Sequence, residues 1–176
     1  MIIFNIVVRV DNDKDFLLPI FEAITEIKSK GIEVRLNVIG HIYSERVYNK
    51  LISYAQTAGI SENIFFTKKS IRYLDLSEEF TRGFFINYSL DDVVGYSTID
   101  AMTLGLKTIL FNCDPAITGK STRMSFCNTA EDLINVATKI AENEEEATAT
   151  IISENKAFTQ SFYLNKQESE LLLTLF

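Results

Sequence analysis

The stretch from residue 84 to residue 114 constrains the fold of this chain more than any other part of the sequence. Two apolar runs, 84–86 and 107–111, enclose an acidic loop and a short segment of helical character. A continuously apolar strand needs cover on both faces, and a helical crossover is the connection that parallel strands require. The stretch therefore predicts a strand-helix-strand unit within a buried parallel sheet.

The loop and the helix start inside this stretch have the chemistry of an anion site. Asp91 and Asp92 follow the first strand, and Gly95 permits a close backbone approach. Ser97 and Asp100 have the spacing of a helix N-cap and its acidic third position. A helix N-terminus offers free N–H groups and a positive dipole end, and carboxylates accept hydrogen bonds from sugar hydroxyls. The combination suits a nucleotide sugar.

The rest of the chain repeats the alternation of apolar strands with amphipathic helices. The predicted strands are 1–10, 34–39, 63–66, 84–86 and 107–111. The predicted helices are 14–30, 47–59, 97–104, 130–141 and 158–176, with one or two helical turns in 71–80 and a solvated charge run at 142–146. We therefore expect residues 1–176 to form one α/β domain, a Rossmann-like three-layer α/β/α arrangement with a parallel sheet.

In such sheets, ligands bind outside the carboxyl ends of the strands. These ends are predicted at 9–14, 40–41, 67–71, 89–96 and 112–114. All candidate residues are thereby expected at one edge of the sheet.

Composition argues against several classes of function. The net charge of −7 is unsuited to general nucleic-acid binding, which depends on clustered Lys and Arg. Cys113 and Cys127 are far apart, and with the single histidine, His41, they cannot assemble a typical zinc site. The cysteine usage indicates reduced thiols and a cytoplasmic protein. The apolar N-terminus, about ten residues long, is too short to span a bilayer.

Four sequence patterns follow one another along the chain. Arg9 and Lys14 stand five positions apart after the first strand, and Gly40 ends the second. Residues 59–66 read Gly-Ile-Ser-Glu-Asn-Ile-Phe-Phe, and residues 92–102 read Asp-Val-Val-Gly-Tyr-Ser-Thr-Ile-Asp-Ala-Met. Over nearly the whole chain, these patterns resemble the C-terminal, donor-binding half of GT-B glycosyltransferases of the "glycosyl transferases group 1" type.

The last pattern carries most of this resemblance, because the family has Glu-Gly-Phe-Gly-x-x-x-x-Glu-Ala-Met there. Asp92 and Asp100 replace the two Glu residues at the same spacing. The resemblance implies that Asp92 faces the transferred sugar and that Asp100 binds the ribose hydroxyls. The implied catalytic residues are Asp92, Arg9 and Lys14, the two cations stabilising the diphosphate leaving group. The implied donor-binding residues are Val94, Gly95, Tyr96, Ser97 and Asp100 at the diphosphate and ribose, with Lys69 and Ser70 near the nucleobase.

The resemblance implies a retaining glycosyltransferase that transfers a sugar from a nucleotide sugar to a glycan or cell-surface acceptor. It implies no metal and no cofactor, since the nucleotide-diphosphate sugar is itself the donor substrate. The expected partner is an acceptor-binding N-terminal domain that is absent from this chain. We expect donor binding with poor turnover from this half alone, no nucleic-acid partner, and scope for peripheral membrane association through the missing half.

Departures from the family pattern leave alternatives open. Val8 and Val93 stand where the family has Gly, and residues 111–117 lack its Gly-Gly-x-x-Glu loop. The alternative function is therefore a degenerate, non-catalytic domain that mediates protein association, and a third is a nucleotide-sugar epimerase of GT-B architecture. Taken alone, the residues also allow Asp100 to be only a helix-capping acid.

Overall fold

The computed structural model of the chain describes residues 1–12, 17–88, 95–111 and 123–160. Within these residues, six parallel strands form one sheet in the order β3-β2-β1-β4-β5-β6. The strands are β1 (Ile2–Val7), β2 (Val34–Ile39), β3 (Ile64–Phe66), β4 (Phe84–Tyr88), β5 (Lys107–Phe111) and β6 (Phe126–Cys127). The predicted Rossmann-like parallel architecture is confirmed.

Helices connect these strands. They are α1 (Leu17–Ser29), α2 (Glu45–Thr57), α3 (Glu78–Thr81), α4 (Tyr96–Thr103), α5 (Ala130–Glu142) and α6 (Glu144–Gln160), with 3₁₀ turns at Ser61–Asn63 and Tyr73–Asp75. Local chemistry sets several of the boundaries. Ser44 caps α2 by accepting a hydrogen bond from the Val47 N–H, and Thr129 and Asp132 form a capping box at the start of α5.

Alternate strand residues face opposite sides of the sheet, and the two sides are covered differently. On one side Phe4 and Phe84, with ring centroids 6.2 Å apart, belong to the main core together with α1, α2 and α5. On the other side Phe85 packs with Ala101 of α4 and with Tyr73 of the second 3₁₀ turn. The second 3₁₀ turn and α4, which line the candidate site, both pack on this second side of the sheet.

A buried polar ladder runs across that second side, where the sequence predicted only apolar strands. The Asn37 Nδ2 donates to the Asn5 Oδ1 at 2.8 Å, and the Asn5 Nδ2 donates to the Phe80 carbonyl oxygen at 2.8 Å. Gly83 leaves room for this ladder, since a Cβ there would lie 2.4 Å from the Asn5 Nδ2. These contacts tie the segment before β4 to the centre of the sheet.

Three sequence predictions need correction or fall short. The helix predicted from Ser97 begins at Tyr96, so Ser97 is not its N-cap. The strand Phe126–Cys127 and the helix Glu144–Gln160 were not predicted, and residues 144–146 of the charge run begin that helix. The helix predicted over 158–176 lies beyond the described residues after Gln160. Among the described helices, none has the length and apolar character needed to cross a membrane.

Candidate functional site

The carboxyl ends of β1 and β2 meet in a close backbone contact. A Cβ at Gly40 would lie 1.8 Å from the Val8 carbonyl oxygen, so only glycine fits beneath the exit of β1. The Val8 N–H donates to the Ile39 carbonyl at 3.0 Å, and the Val10 N–H donates to the His41 carbonyl at 3.0 Å. Arg9 stands between these two anchored residues with its side chain exposed. The backbone thus fixes the position from which this cation extends.

The exit of β3 is joined to the same edge through the Thr67 hydroxyl. It accepts a hydrogen bond from the Gly40 N–H at 3.1 Å and donates to the Lys69 carbonyl at 2.8 Å. Lys68 adopts a left-handed conformation, with φ of 57°, which turns the chain sharply. Lys69 and Ser70 are exposed beside the ends of β1 and β2, as the sequence predicted for the carboxyl edge.

The N-terminus of α4 has no side-chain cap. Gly95 is the N-cap residue, in extended conformation with φ −64° and ψ 147°, and it provides no side-chain hydrogen bond. Ser97 lies inside the helix and is exposed, as is Tyr96. Backbone N–H groups of a first helical turn without such a cap are left for water or a ligand. Among the described residues, the N-cap side chain thus makes no hydrogen bond to the first-turn amides, and the anion site at this helix end stays a prediction.

Asp100 lies one turn further along α4, about 6 Å along the helix axis from Tyr96. Its side chain is exposed and borders a groove of about 360 Å³. The groove lies between the outer face of α4 and the segment that follows β3. Its lining is Arg72, Tyr73, Leu74, Asp100, Thr103 and Leu104. The groove is therefore an apolar slot with a carboxylate on one wall.

Tyr73 is the half-buried member of this lining. Its ring packs edge-on against Phe85 with centroids 6.1 Å apart, and its hydroxyl donates to the Asn87 Oδ1 at 3.3 Å. Burial raises the pKa of Tyr73 above its ordinary value, and the negative charge of Asp100 adds to that rise. The phenol and the carboxylate thus interact electrostatically across the groove.

Arg72 contributes to the groove but is occupied by a neighbour. Its guanidinium donates twice to the Asp75 carboxylate, at 2.6 and 3.1 Å. This pairing raises the pKa of Arg72 and lowers that of Asp75, the hydrogen bond being the largest cause in both cases. Because both side chains are exposed, the pair adds little to stability. It holds the turn that carries Tyr73 and Leu74.

Seven of the ten predicted site residues lie within the described part of the chain, after β1, after β3 or on the first turns of α4. They are Arg9, Lys69, Ser70, Gly95, Tyr96, Ser97 and Asp100. The other three, Lys14, Asp92 and Val94, lie outside the described residues. The expectation that Arg9, Lys14, Asp92 and Asp100 surround one diphosphate-sugar site therefore stays a prediction.

Sequence reasoning missed Tyr73, Leu74 and Asn87. No local pattern marks them, because their roles follow from contacts between segments far apart in the chain. The composition of 71–80 indicated only helical turns.

Two other residues with reactive side chains have plain structural roles. Cys127 is buried, and burial raises the pKa of its thiol, which suits a core residue and not a nucleophile. The exposed His41 ring packs edge-on against Tyr43 with centroids 4.6 Å apart. Within the residues that the structure describes, no group of three or more His, Cys, Asp or Glu side chains could hold a metal ion.

The fold is that of the C-terminal domain of group 1 GT-B glycosyltransferases. The chain is similar to HepE from Anabaena in complex with UDP, with a TM-score of 0.70 and 16% identity over 98% of this chain and 48% of HepE. It is also similar to the C-terminal domain of LpcC from Francisella tularensis, a glycosyl transferase group 1 family protein, with a TM-score of 0.64 and 16% identity over 91% of this chain and 85% of that one.

A third similar structure is the catalytic domain of the cholesterol-alpha-glucosyltransferase from Helicobacter pylori. It gives a TM-score of 0.63 and 17% identity over 91% of this chain and 99% of that one. The chain thus spans about half of HepE but nearly all of this catalytic domain. No protein-family model and no curated protein sequence matches it.

Proposed function

We propose that this chain binds the nucleotide-diphosphate sugar of a retaining glycosyltransferase that acts on a glycan or cell-surface acceptor. The observation that carries the proposal is the apolar groove at Leu74 and Leu104 with Asp100 on its wall, where Asp100 stands one turn along α4 from the N-terminus of that helix. This order of surfaces matches the order of diphosphate, ribose and base in a nucleotide. HepE, which has the same fold, is known in complex with UDP and with UDP-glucose.

Each part of the donor has a proposed contact. The base lies in the apolar slot, near the Lys69 and Ser70 segment, and the ribose hydroxyls donate to Asp100. The diphosphate meets the amides of residues 94–97, where a helix N-terminus favours negative charge. Arg9 and Lys14 face the diphosphate, and Asp92 faces the transferred sugar.

The proposed chemistry is electrostatic. A diphosphate leaving group gains negative charge as the glycosidic bond breaks, and fixed cations with aimed N–H groups stabilise that charge most in the transition state. Arg9 is suited to this role because the contact at Gly40 fixes its backbone before a ligand binds. In this proposal the two cations and the helix end supply the charge stabilisation, and no metal is invoked.

The chain corresponds to about half of HepE, so the acceptor site is proposed to lie on a second domain. A chain of this kind binds donor without completing the transfer efficiently. Peripheral membrane association belongs to that second domain in this proposal, and the cytoplasmic location inferred from the cysteines stays a prediction.

Protein association is the second candidate function, and the exposed Tyr96 and Leu74 favour it, at 91% and 78% exposure. A degenerate domain, however, would show a cleft without convergent polar groups. The groove instead combines the carboxylate of Asp100 and the phenol of Tyr73 in one lining. We therefore rank donor binding first.

Calorimetry with UDP, GDP and their sugars tests the proposal on Asp100. We expect Asp100→Asn to weaken binding by about ten- to a hundredfold, because hydrogen bonds to a charged acceptor contribute about 1.5–3 kcal/mol. Glu22→Gln is the matched control, since Glu22 is an exposed acid on α1, on the opposite side of the sheet. A folded wild-type chain that binds none of these compounds refutes the proposal.

A further inference from the structure

We infer, on the premise of the proposed function, that Tyr73 recognises the ribose diol of the nucleotide together with Asp100. Asn87 acts as the positioning residue that orients the Tyr73 hydroxyl. The inference adds a ribose-specific contact that the sequence patterns did not indicate.

Tyr73 and Asp100 belong to different segments and face the same groove. Tyr73 lies in the turn after β3, and Asp100 lies on the outer face of α4. The packing of the Tyr73 ring on Phe85 holds the phenol in place, so its hydroxyl is fixed before a ligand arrives. Both side chains line the same groove of about 360 Å³, and this shared lining is the geometric basis for one ligand group binding both.

Asn87 has features that packing alone does not explain. It is 6% exposed on β4, and its Oδ1 accepts the Tyr73 hydroxyl proton at 3.3 Å. Its Nδ2 is buried and has no hydrogen-bond partner within the described structure. A buried donor without a partner is unfavourable, and an apolar residue on this strand would avoid that cost. The compensating role is the orientation of the Tyr73 hydroxyl.

This orientation decides what the groove can bind. Because the Tyr73 proton is directed to Asn87, the lone pairs of the phenol oxygen remain free to accept. Asp100 is an acceptor as well. Two acceptors facing one groove suit a ligand group with two adjacent donors, and the 2′- and 3′-hydroxyls of ribose form such a pair. A 2′-deoxyribose offers only one donor and leaves one acceptor unpaired, which a partly buried site rejects.

The test compares calorimetric affinities for UDP and 2′-deoxy-UDP, and for GDP and 2′-deoxy-GDP, in the wild type and in Tyr73→Phe. We expect the wild type to prefer the ribonucleotide. Tyr73→Phe should reduce the ribonucleotide affinity about three- to tenfold, because it removes one neutral hydrogen bond. It should change the deoxynucleotide affinity little. Tyr54→Phe is the control, because it removes a phenol hydroxyl on α2, where the ring packs on Phe21. It should leave the ribose preference unchanged.

Asn87→Leu is the second variant and separates positioning from folding. It removes the unpaired amide, so its melting temperature should be equal to or above that of the wild type, while the ribose preference falls. If Tyr73→Phe does not fold, the ribose preference of Asn87→Leu is compared with that of the wild type instead. A purely structural role would weaken both nucleotides equally in these variants.

The outcomes distinguish this inference from the proposed function. Wild-type binding with an unchanged ribose preference in the folded variants overturns the inference and leaves donor binding intact. Absence of wild-type binding to any of the four nucleotides overturns both.

Discussion

Gly40 determines the position of the carboxyl end of β1 and therefore the backbone position of Arg9. The ideal Cβ position at residue 40 is within 1.8 Å of the Val8 oxygen and 2.7 Å of its carbonyl carbon. Those atoms are backbone, so no side-chain rotation can relieve the overlap. Glycine is needed at position 40 for close backbone approach and not for a left-handed conformation. Its φ lies outside the left-handed range that Gly31, Gly59 and Gly105 adopt.

Gly40→Ala should therefore destabilise the fold and weaken donor binding together. The added methyl forces residues 8–10 away from β2, at a cost of about 1–3 kcal/mol typical of overpacking. Urea unfolding measures the stability, and calorimetry with UDP measures the displacement of Arg9. Gly95→Ala is the comparison, because among the residues that the structure describes its methyl would meet nothing nearer than the Ser97 Oγ at 3.6 Å. Equal stability in the two variants would show that the contact at Gly40 is relaxed easily.

At the scale of the element, α4 combines two tasks that conflict. A helix N-terminus is most stable with a capping side chain, yet such a side chain would occupy the amides proposed for the diphosphate. Gly95 leaves those amides open. The Ser97 prediction failed at this point, because the helix begins one residue earlier than the capping pattern required.

Gly95→Asp should raise stability and abolish tight donor binding. The extended backbone at this position, with φ −64°, accepts an N-cap side chain, and a capping carboxylate should add about 0.5–1 kcal/mol. The same carboxylate repels the diphosphate, so we expect UDP affinity to fall more than tenfold. Thermal melting and calorimetry measure the two effects.

Gly95→Asn is the matched control for charge. It caps the helix with a neutral amide, so roughly a few tenths of a kcal/mol of the stability gain should remain while the loss of UDP affinity is smaller. Equal losses for the Asp and Asn variants would assign the effect to occupied amides and not to charge.

At the scale of the whole molecule, the sequence predicted the architecture because its main signals are local. The strands at 34–39 and 107–111 were predicted with the bounds that the structure has, since each is rich in strand-favouring apolar residues and follows a glycine-containing helix end. The strand Phe126–Cys127 is too short for any periodicity. Helix α6 begins in a charge run and has a weak apolar stripe, so its pattern was not recognised.

The candidate site likewise contains some residues that local patterns predict and others that they do not. Arg9 and Gly40 directly follow strands and Asp100 lies on the helix after β4, so their positions along the fold could be predicted from local patterns, whereas their grouping into one site stays a prediction. Tyr73 and Asn87 meet only because the turn after β3 folds back on β4, 14 residues further along the chain. Such a contact depends on the tertiary arrangement and leaves no periodic signal.

The main core gives the last prediction. It joins α1, α2, α5 and α6 with residues from β1, β2, β4 and β5, so these elements should unfold together. We expect a single urea transition by circular dichroism and tyrosine fluorescence. A nucleotide that binds only the folded state should stabilise that whole unit, by about 2.7 kcal/mol at a ligand concentration a hundred times the Kd. UDP should therefore shift the entire transition in the wild type and shift it far less in Asp100→Asn at the same concentration. Two transitions, with UDP moving only one of them, would show that the nucleotide groove is energetically separate from the core.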